Sequence, residues 1–184
     1  ATGGTESTSG NFKIHTFTGP CTFTVSGIGG TVANNVVSYM VVAGGASGGA
    51  SYGGGGGAGG FREYKSPVDS YTASPLNGNP GGTEITVTAQ GYPITVGAGG
   101  ASRPGSPTQV GAPGSNSIFS TVTSAGGGGG GGTGSPLAGL PGGSGGGAGR
   151  DETTNNGSGN TPPVSPPQGN DGGQPAGSSW NGGG

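Results

Sequence analysis

Charge is scarce in this chain. Five Lys and Arg against seven Asp and Glu in 184 residues leave a net charge of −2. No basic footprint exists for nucleic acid or an anionic membrane surface, and neither partner is expected. Cysteine and histidine occur once each, as Cys21 and His15. An intramolecular disulfide is therefore excluded, and the four ligands of a structural zinc site cannot be assembled. A Cys-His nucleophile pair needs a positioned base; six residues apart across Gly19-Pro20, the two read as ordinary strand positions. The carboxylates Glu63, Asp69, Glu84, Asp151, Glu152 and Asp171 are scattered and lack the alternating spacing of a calcium loop. No metal, cofactor or catalytic residue is expected. Long apolar runs are missing too: the longest, Val36 to Ala43, is broken by Ser38 and falls far short of the ~20 residues that cross a bilayer. The opening ATGGTESTSGN has no basic or apolar leader and no initiator Met, which reads as a processed chain or a fragment.

What the chain has is glycine. Glycine takes 52 positions and proline 15, while hydrophobic residues make up only 26%. Ordinary globular chains carry about 45–50% apolar residues. Glycine in a helix interior costs about 1 kcal/mol and proline about 3, so a helical protein is excluded. Composition alone points to disorder; placement argues otherwise. Residues 1–120 hold all ten Phe and Tyr residues, whereas residues 121–184 hold 24 of the glycines and one aromatic, Trp180. The expected division is a tail or linker over 1–10, a β-rich, glycine-interrupted region over 11–123, and a glycine-rich region over 124–184, truncated at its end.

Strands can be read in the middle region. Gly10 to Ser26 alternates Phe17, Cys21, Phe23 and Val25 on one phase, with Gly19-Pro20 as a turn. Val36 to Val42 is apolar on both phases, which predicts a central strand covered on both faces. Thr83 to Gly97 predicts a hairpin: Ile85 and Val87 going in, Ala89-Gln90-Gly91 turning, Tyr92, Ile94 and Val96 coming out. Pro93 lacks an N–H, so its strand should lie at an edge or interrupt the ladder there. Ser117 to Thr123 is a fifth strand candidate.

Three of these strands run directly into glycine: VVSYMVVA into GGASGGASYGGGGGAGG, ITV into GAGGAS, and STVTSA into GGGGGGGTG. Between Arg103 and Arg150 there is no charged residue, so that stretch should be packed rather than solvated. Strict Gly-X-Y is absent, which excludes collagen. Extended three-residue helices have no internal hydrogen bonds, but glycine lets their backbones approach closely enough to bond laterally. Ordering each residue costs roughly 1–2 kcal/mol, so such an array requires nearly complete lateral bonding. The expected fold class is all-β, a short sheet or sandwich region interleaved with long glycine-rich excursions; packed polyglycine II-type helices and loops are an arrangement that the composition permits.

The segments KIHTFTGPCTFTVS, VVSYMVVAGGASGG, GGGGGAGGFRE, ITVTAQGYPITVGAGGAS, GSNSIFSTVTSAGGGGGGG and SPPQGNDGG resemble, in order, the glycine-rich domain of tail-fibre and related virion surface proteins of bacteriophages, notably marine and cyanobacterial ones. The resemblance implies stacked polyglycine II helices whose connecting loops contact a host receptor. It also implies a non-enzymatic homotrimer at the virion surface, partnered by other virion proteins and by a host-surface glycan or outer-membrane protein. A capsid decoration protein or filament subunit, and a disordered glycine-rich matrix protein, are the alternatives.

One island of charge and aromaticity interrupts the glycine, FREYKSPVDSYTASPL over residues 61–76. Arg62, Glu63, Tyr64, Lys65, Asp69 and Tyr71 are its candidate receptor-binding residues, because Tyr and Arg are favoured at contact hot spots. Trp180 is a further candidate, as an exposed ring for glycan stacking or a plug over the glycine array. A second loop, Arg150 to Gln168, carries the proline-rich TPPVSPPQ. The Asn156-Gly157-Ser158 sequon reads as incidental.

Overall fold

A computed structural model describes residues 1–10, 12–79, 83–103, 109–133, 137–150 and 155–174. Its regular elements are eight short strands and one 3-10 turn, Val32–Asn35, so the fold is all-β.

Strand β1 (Thr5–Ser9) pairs antiparallel with β2 (Phe12–Thr16), the chain reversing at Gly10 with φ 57°. Residues 5–9, expected to be tail, therefore form half of a hairpin. Threonine and serine suit an extended ribbon, and the Lys13 ammonium meets the Glu6 carboxylate across it at 2.6 Å. Strand β3 (Cys21–Thr24) opens a four-stranded antiparallel sheet in the order β3, β6 (Gly91–Thr95), β7 (Ser117–Phe119), β8 (Val122–Ser124). Strands β4 (Tyr39–Val42) and β5 (Phe61–Tyr64) form a separate antiparallel pair. Tyr39, Val41, Tyr64, Ile85 and Val122 make the buried core, with Val36, Val37, Val87 and Phe119 against it. The Tyr39 and Tyr64 rings stack at 6.1 Å.

Three strand expectations are revised. The apolar run 36–42 is covered on one face only: Tyr39 and Val41 are buried, but Met40 is 67% and Val42 49% exposed. The exposed phase lines a shallow apolar groove of about 270 Å³ with Ile94, Val96 and Ile118. The hairpin over 83–97 does not close on itself. Its incoming arm bonds to residues 35–37 instead, Val37 N–H to Ile85 C=O at 3.0 Å and Val87 N–H to Asn35 C=O at 2.8 Å. Its outgoing arm, β6, pairs with β3 and β7. Alternation placed Ile85 and Tyr92 correctly in the interior, both buried; it carries no information about which strand each arm pairs with. Ser117 to Thr123 is a hairpin rather than one strand, turning at Ser120 with φ 55°.

Pro93 sits inside the sheet at a point where no donor is needed. Thr24 exchanges both backbone bonds with Thr2, so by alternation Phe23 and Cys21 face β6, and Pro93, opposite Thr22, turns its nitrogen away from β3. On the other side the ladder to β7 starts only at Ile94, and Pro93 accepts from Ser120 N–H at 3.0 Å.

The glycine-rich segments pack against one another through lateral backbone bonds that step by three residues. Gly127 and Gly130 donate to Gly44 and Ser47; Gly128 and Gly131 donate to Ser144 and Gly147. Gly54 and Gly57 reach the same run from another side, donating to Gly131 and Gly128. Gly111 and Gly114 donate to Gly130 and Gly127, and Leu140 and Gly143 to Gly129 and Gly126. The segment 142–149 repeats the pattern: Ser144 and Gly147 bond to Ala58 and Gly55, while Gly145 and Ala148 bond to Asn170 and Gly173. Residues 124–132 are all buried, so the most continuous interior in the molecule is glycine backbone. Described residues on both sides of position 123 share this array: Gly44, Ser47, Gly111 and Gly114 all bond to the run 127–130.

Candidate functional site

The sheets close one end of the array. Ala43 N–H bonds to Gly60 C=O, Gly60 N–H to Ala125 C=O and Phe61 N–H to Gln168 C=O, at 3.1, 2.7 and 2.8 Å. The charged island leaves from this end, and the structure divides it. Arg62, Glu63 and Tyr64 lie in β5 with 7%, 9% and 3% of their surface exposed. They belong to the interior and are not a recognition loop. A strand following a glycine segment into the core needs its residues packed on both faces, and Tyr64 stacks on Tyr39 while its hydroxyl donates to Glu84 Oε2 at 2.9 Å. Burial, reinforced by the Glu84 carboxylate, raises the Tyr64 pKa above the ordinary tyrosine value; burial also raises that of Tyr39.

The rest of the island is a loop tied to its own stem. Glu63 Oε2 accepts from Ser74 N–H at 2.9 Å, and the Glu63 carbonyl accepts from Gly78 N–H at 2.9 Å. Asn77 Oδ1 accepts from Lys65 N–H at 2.9 Å, and Asn79 Nδ2 donates to the Lys65 carbonyl at 2.7 Å. Ser38 Oγ, which donates to Asp69 Oδ2, accepts from Ser66 N–H at 2.8 Å. The Lys65 ammonium lies 5.6 Å from the Tyr71 ring centre. Partial burial and the Glu63 and Asp69 charges raise the Tyr71 pKa against the lowering effect of Ser38. Residues 67–72 are exposed, with Val68 at 56% and Tyr71 at 43%. Of the candidate residues, Asp69 and Tyr71 are therefore presented together on a fixed loop, with Lys65 half-buried beneath them. Trp180 lies outside the described residues.

The opposite end of the array carries a second cluster of connections. Ala50 N–H bonds to Gln109 C=O at 3.0 Å, Gly132 N–H to Leu137 C=O at 3.0 Å, and Arg150 N–H to Tyr52 C=O at 2.9 Å. The Arg150 guanidinium lies 4.9 Å from the centre of the Tyr52 ring, an arrangement in which the cation is attracted to the ring face. Sequence reading did not join these residues, which stand 98 positions apart. The available signal was Tyr52 itself, a large aromatic between two glycine runs.

The proline-rich loop is largely exposed and is anchored by its last residue. Gln168 is 2% exposed; its Oε1 accepts from Ala125 N–H at 2.8 Å and its Nε2 donates to Pro162 C=O at 2.9 Å. Asn156 of the sequon donates its amide to Gly172 C=O at 2.8 Å. His15 Nδ1 donates to Gly3 C=O at 2.8 Å, and the Cys21 thiol donates to Thr22 C=O at 3.9 Å. Among the described residues, no group of three or more His, Cys, Asp or Glu side chains is placed to hold a metal ion, and no helix is long and apolar enough to cross a membrane.

Neither the curated proteins nor the solved structures contain a match. The glycine-rich domain family matches residues 18–184, from just before β3 to the last residue. The β1–β2 hairpin thus precedes the matched region. With most of its length inside that match, the chain belongs to the glycine-rich domain family.

Proposed function

We propose that this chain is a non-enzymatic structural protein of a bacteriophage virion, a tail-fibre or adhesin domain that holds receptor-contacting loops on a packed glycine scaffold. The observation that carries the reading is the three-residue stepping of the lateral bonds around Gly126–Gly132. A helix with three residues per turn presents one row of N–H groups to each neighbour, which is how Gly127 and Gly130 meet one segment while Gly128 and Gly131 meet another. In this reading the segments are polyglycine II-type helices, and their lack of side chains sets the close spacing. The scaffold is stiff, uncharged and free of chemistry, which suits a part that positions loops.

Among the described residues, the segments around the run 126–132 find their lateral partners within the same chain. In this reading the homotrimer expected of a fibre forms from subunits whose array is bonded within each chain. The loop containing Asp69 and Tyr71 and the connections around Tyr52 and Arg150 are the receptor-facing surfaces in this reading. Labelled protein applied to a panel of marine and cyanobacterial strains should bind a subset of them and compete with virus adsorption. Exchange of the exposed residues 67–72 should alter which strains are bound while amide exchange in the array stays unchanged. Failure to bind or compete on any strain that adsorbs the virus overturns the adhesive reading.

A further inference from the structure

We propose that the outer edge of β4 pairs with β4 of a second copy of this chain, antiparallel about a two-fold axis, to make one sheet in the order β5, β4, β4, β5. The inference goes beyond the adhesive reading and does not rest on it.

Backbone parity opens this edge. Ala43 N–H bonds to Gly60 C=O at 3.1 Å, in line with the register that sets Val42 opposite Phe61 and Tyr39 opposite Tyr64. Alternation then turns the N–H and C=O groups of Tyr39 and Val41 toward β5 and those of Met40 and Val42 away from it. No strand lies on that side of β4, and among the described residues no group bonds to the Met40 or Val42 main chain there. A free edge is a template for another strand, and proteins ordinarily guard it with lysine, proline, a bulge or a covering element. β4 reads YMVV and runs in unbroken register with β5, and its Met40 is 67% and Val42 49% exposed. The groove beside it adds Ile94, Val96 and Ile118 to the apolar surface.

What fits is a strand that is uncharged, exposes alternate apolar side chains and has a free edge of its own. Among the described strands β4 alone answers. β1 carries Glu6, β2 Lys13 and β5 both Arg62 and Glu63. β3 is engaged on its outer edge by Thr2, β6 and β7 lie between other strands, and β8 exposes only Thr123. About a two-fold axis at Val41, Met40 of one copy opposes Val42 of the other, and each such pair exchanges both main-chain bonds. Val41 then opposes Val41 at a narrow pair, with about 4.5 Å between the Cα atoms. Identical copies bring identical charges together, which opposes pairing; this edge has none to bring. The contact uses the same patch on both copies and closes at two, so it doubles the mass of whatever the subunit otherwise forms.

The test is sedimentation of the intact chain from micromolar to millimolar concentration, with amide exchange followed over the same range. The mass should double with concentration, from monomer to dimer or from a trimeric fibre to a hexamer. The amides of Met40 and Val42 should gain protection as the mass doubles, while those of Tyr39 and Val41 stay protected by β5 throughout. Met40→Lys, which sets an ordinary edge guard on a side chain already exposed, should weaken the doubling at least about tenfold. Met40→Leu should retain it. Should Met40→Lys disturb the β4–β5 amides, a mixture of isotope-labelled and unlabelled wild-type chains decides instead. A Val41 Hα-to-Hα contact between copies is expected there, and its absence overturns the pairing. No doubling up to millimolar concentration, or doubling that Met40→Lys leaves unchanged, overturns it as well. A trimer that never doubles overturns the pairing and leaves the fibre reading standing. An open series of larger species in place of one doubling assigns the edge to a head-to-tail contact and overturns the two-fold arrangement.

Discussion

At the residue scale, one side chain ties the proline-rich loop to the glycine run: Gln168. It was legible in the sequence only as the last letter of a proline-rich loop. In the structure it enters the seam between sheet and array, accepting from Ala125 and donating to Pro162. Its own N–H meets Asn160 Oδ1 at 3.2 Å, and its carbonyl accepts from Phe61. No periodicity announces such a residue, because its role depends on partners 43 and 107 positions away. Gln168→Ala leaves the buried Ala125 N–H without a partner, while water can replace the amide at the exposed Pro162; an unsatisfied buried group costs about 1–3 kcal/mol. A loss of about 1–3 kcal/mol is expected, measured by denaturant unfolding, with an unchanged slope if the two-state transition survives. A loss below about 0.5 kcal/mol, the range of ordinary surface substitutions, would show that the seam holds without this side chain. Arg62, Glu63 and Tyr64 teach the converse. Their chemical type suggested a binding surface, yet charge and aromaticity say nothing about burial when a strand enters a core at that point.

The elements divide into those whose burial pattern decided their place and those whose partners did. The arm at Ile85–Val87 was legible as an extended, half-buried segment; β3 was legible as extended, but its predicted inward phase is not buried, since Cys21 is exposed and Phe23 only partly covered. Pairing was not, because the energy of a bridge such as Val36 with Thr86 comes from where the intervening chain closes. The glycine segments were legible as packed from their lack of charge, and their bonding partners emerge only in three dimensions. Their substitution pattern is a sharp test of the packing. A Cβ built on Gly128 would stand 1.9 Å from the Leu140 carbonyl oxygen, and one on Gly145 would stand 1.8 Å from that of Gly157. Both obstacles are backbone, which cannot rotate away as a side chain can. Gly128→Val and Gly145→Val should each remove several kcal/mol, enough to exhaust much of the about 5–15 kcal/mol that holds a typical domain. On Gly45 the nearest obstacle is 3.9 Å away. Gly45→Ala should be neutral or stabilise by up to about 1 kcal/mol through the unfolded chain. Thermal melting of the three variants decides the matter: equal effects at Gly45 and Gly128 would mean that the array is not close-packed.

For the whole molecule, the composition that argued for disorder instead describes an interior held by main-chain bonds, flanked by a small aromatic core. These two parts respond differently to pH. The array has no titratable group in its segment 124–132, whereas the core contains Tyr39 and Tyr64, both with pKa raised by burial, and Tyr71 is raised on the loop beside them. A phenol whose folded pKa lies above its unfolded value near 10 contributes stability that is fully present below that value. The contribution falls as pH rises through the folded pKa, since the unfolded state releases its proton first. Melting temperature should therefore hold level through neutral pH and decline above about pH 10. Tyr64→Phe removes the Glu84 hydrogen bond together with the titrating group, so it should lower stability at neutral pH and flatten the alkaline decline. Amide exchange at high pH should reveal the order of loss: protection in β4 and β5 disappears first, and protection over residues 126–132 persists until Gln168 and the seam release. Simultaneous loss of both would instead mean that sheet and array form one cooperative unit, with the aromatic core setting the limit for the glycine interior as well.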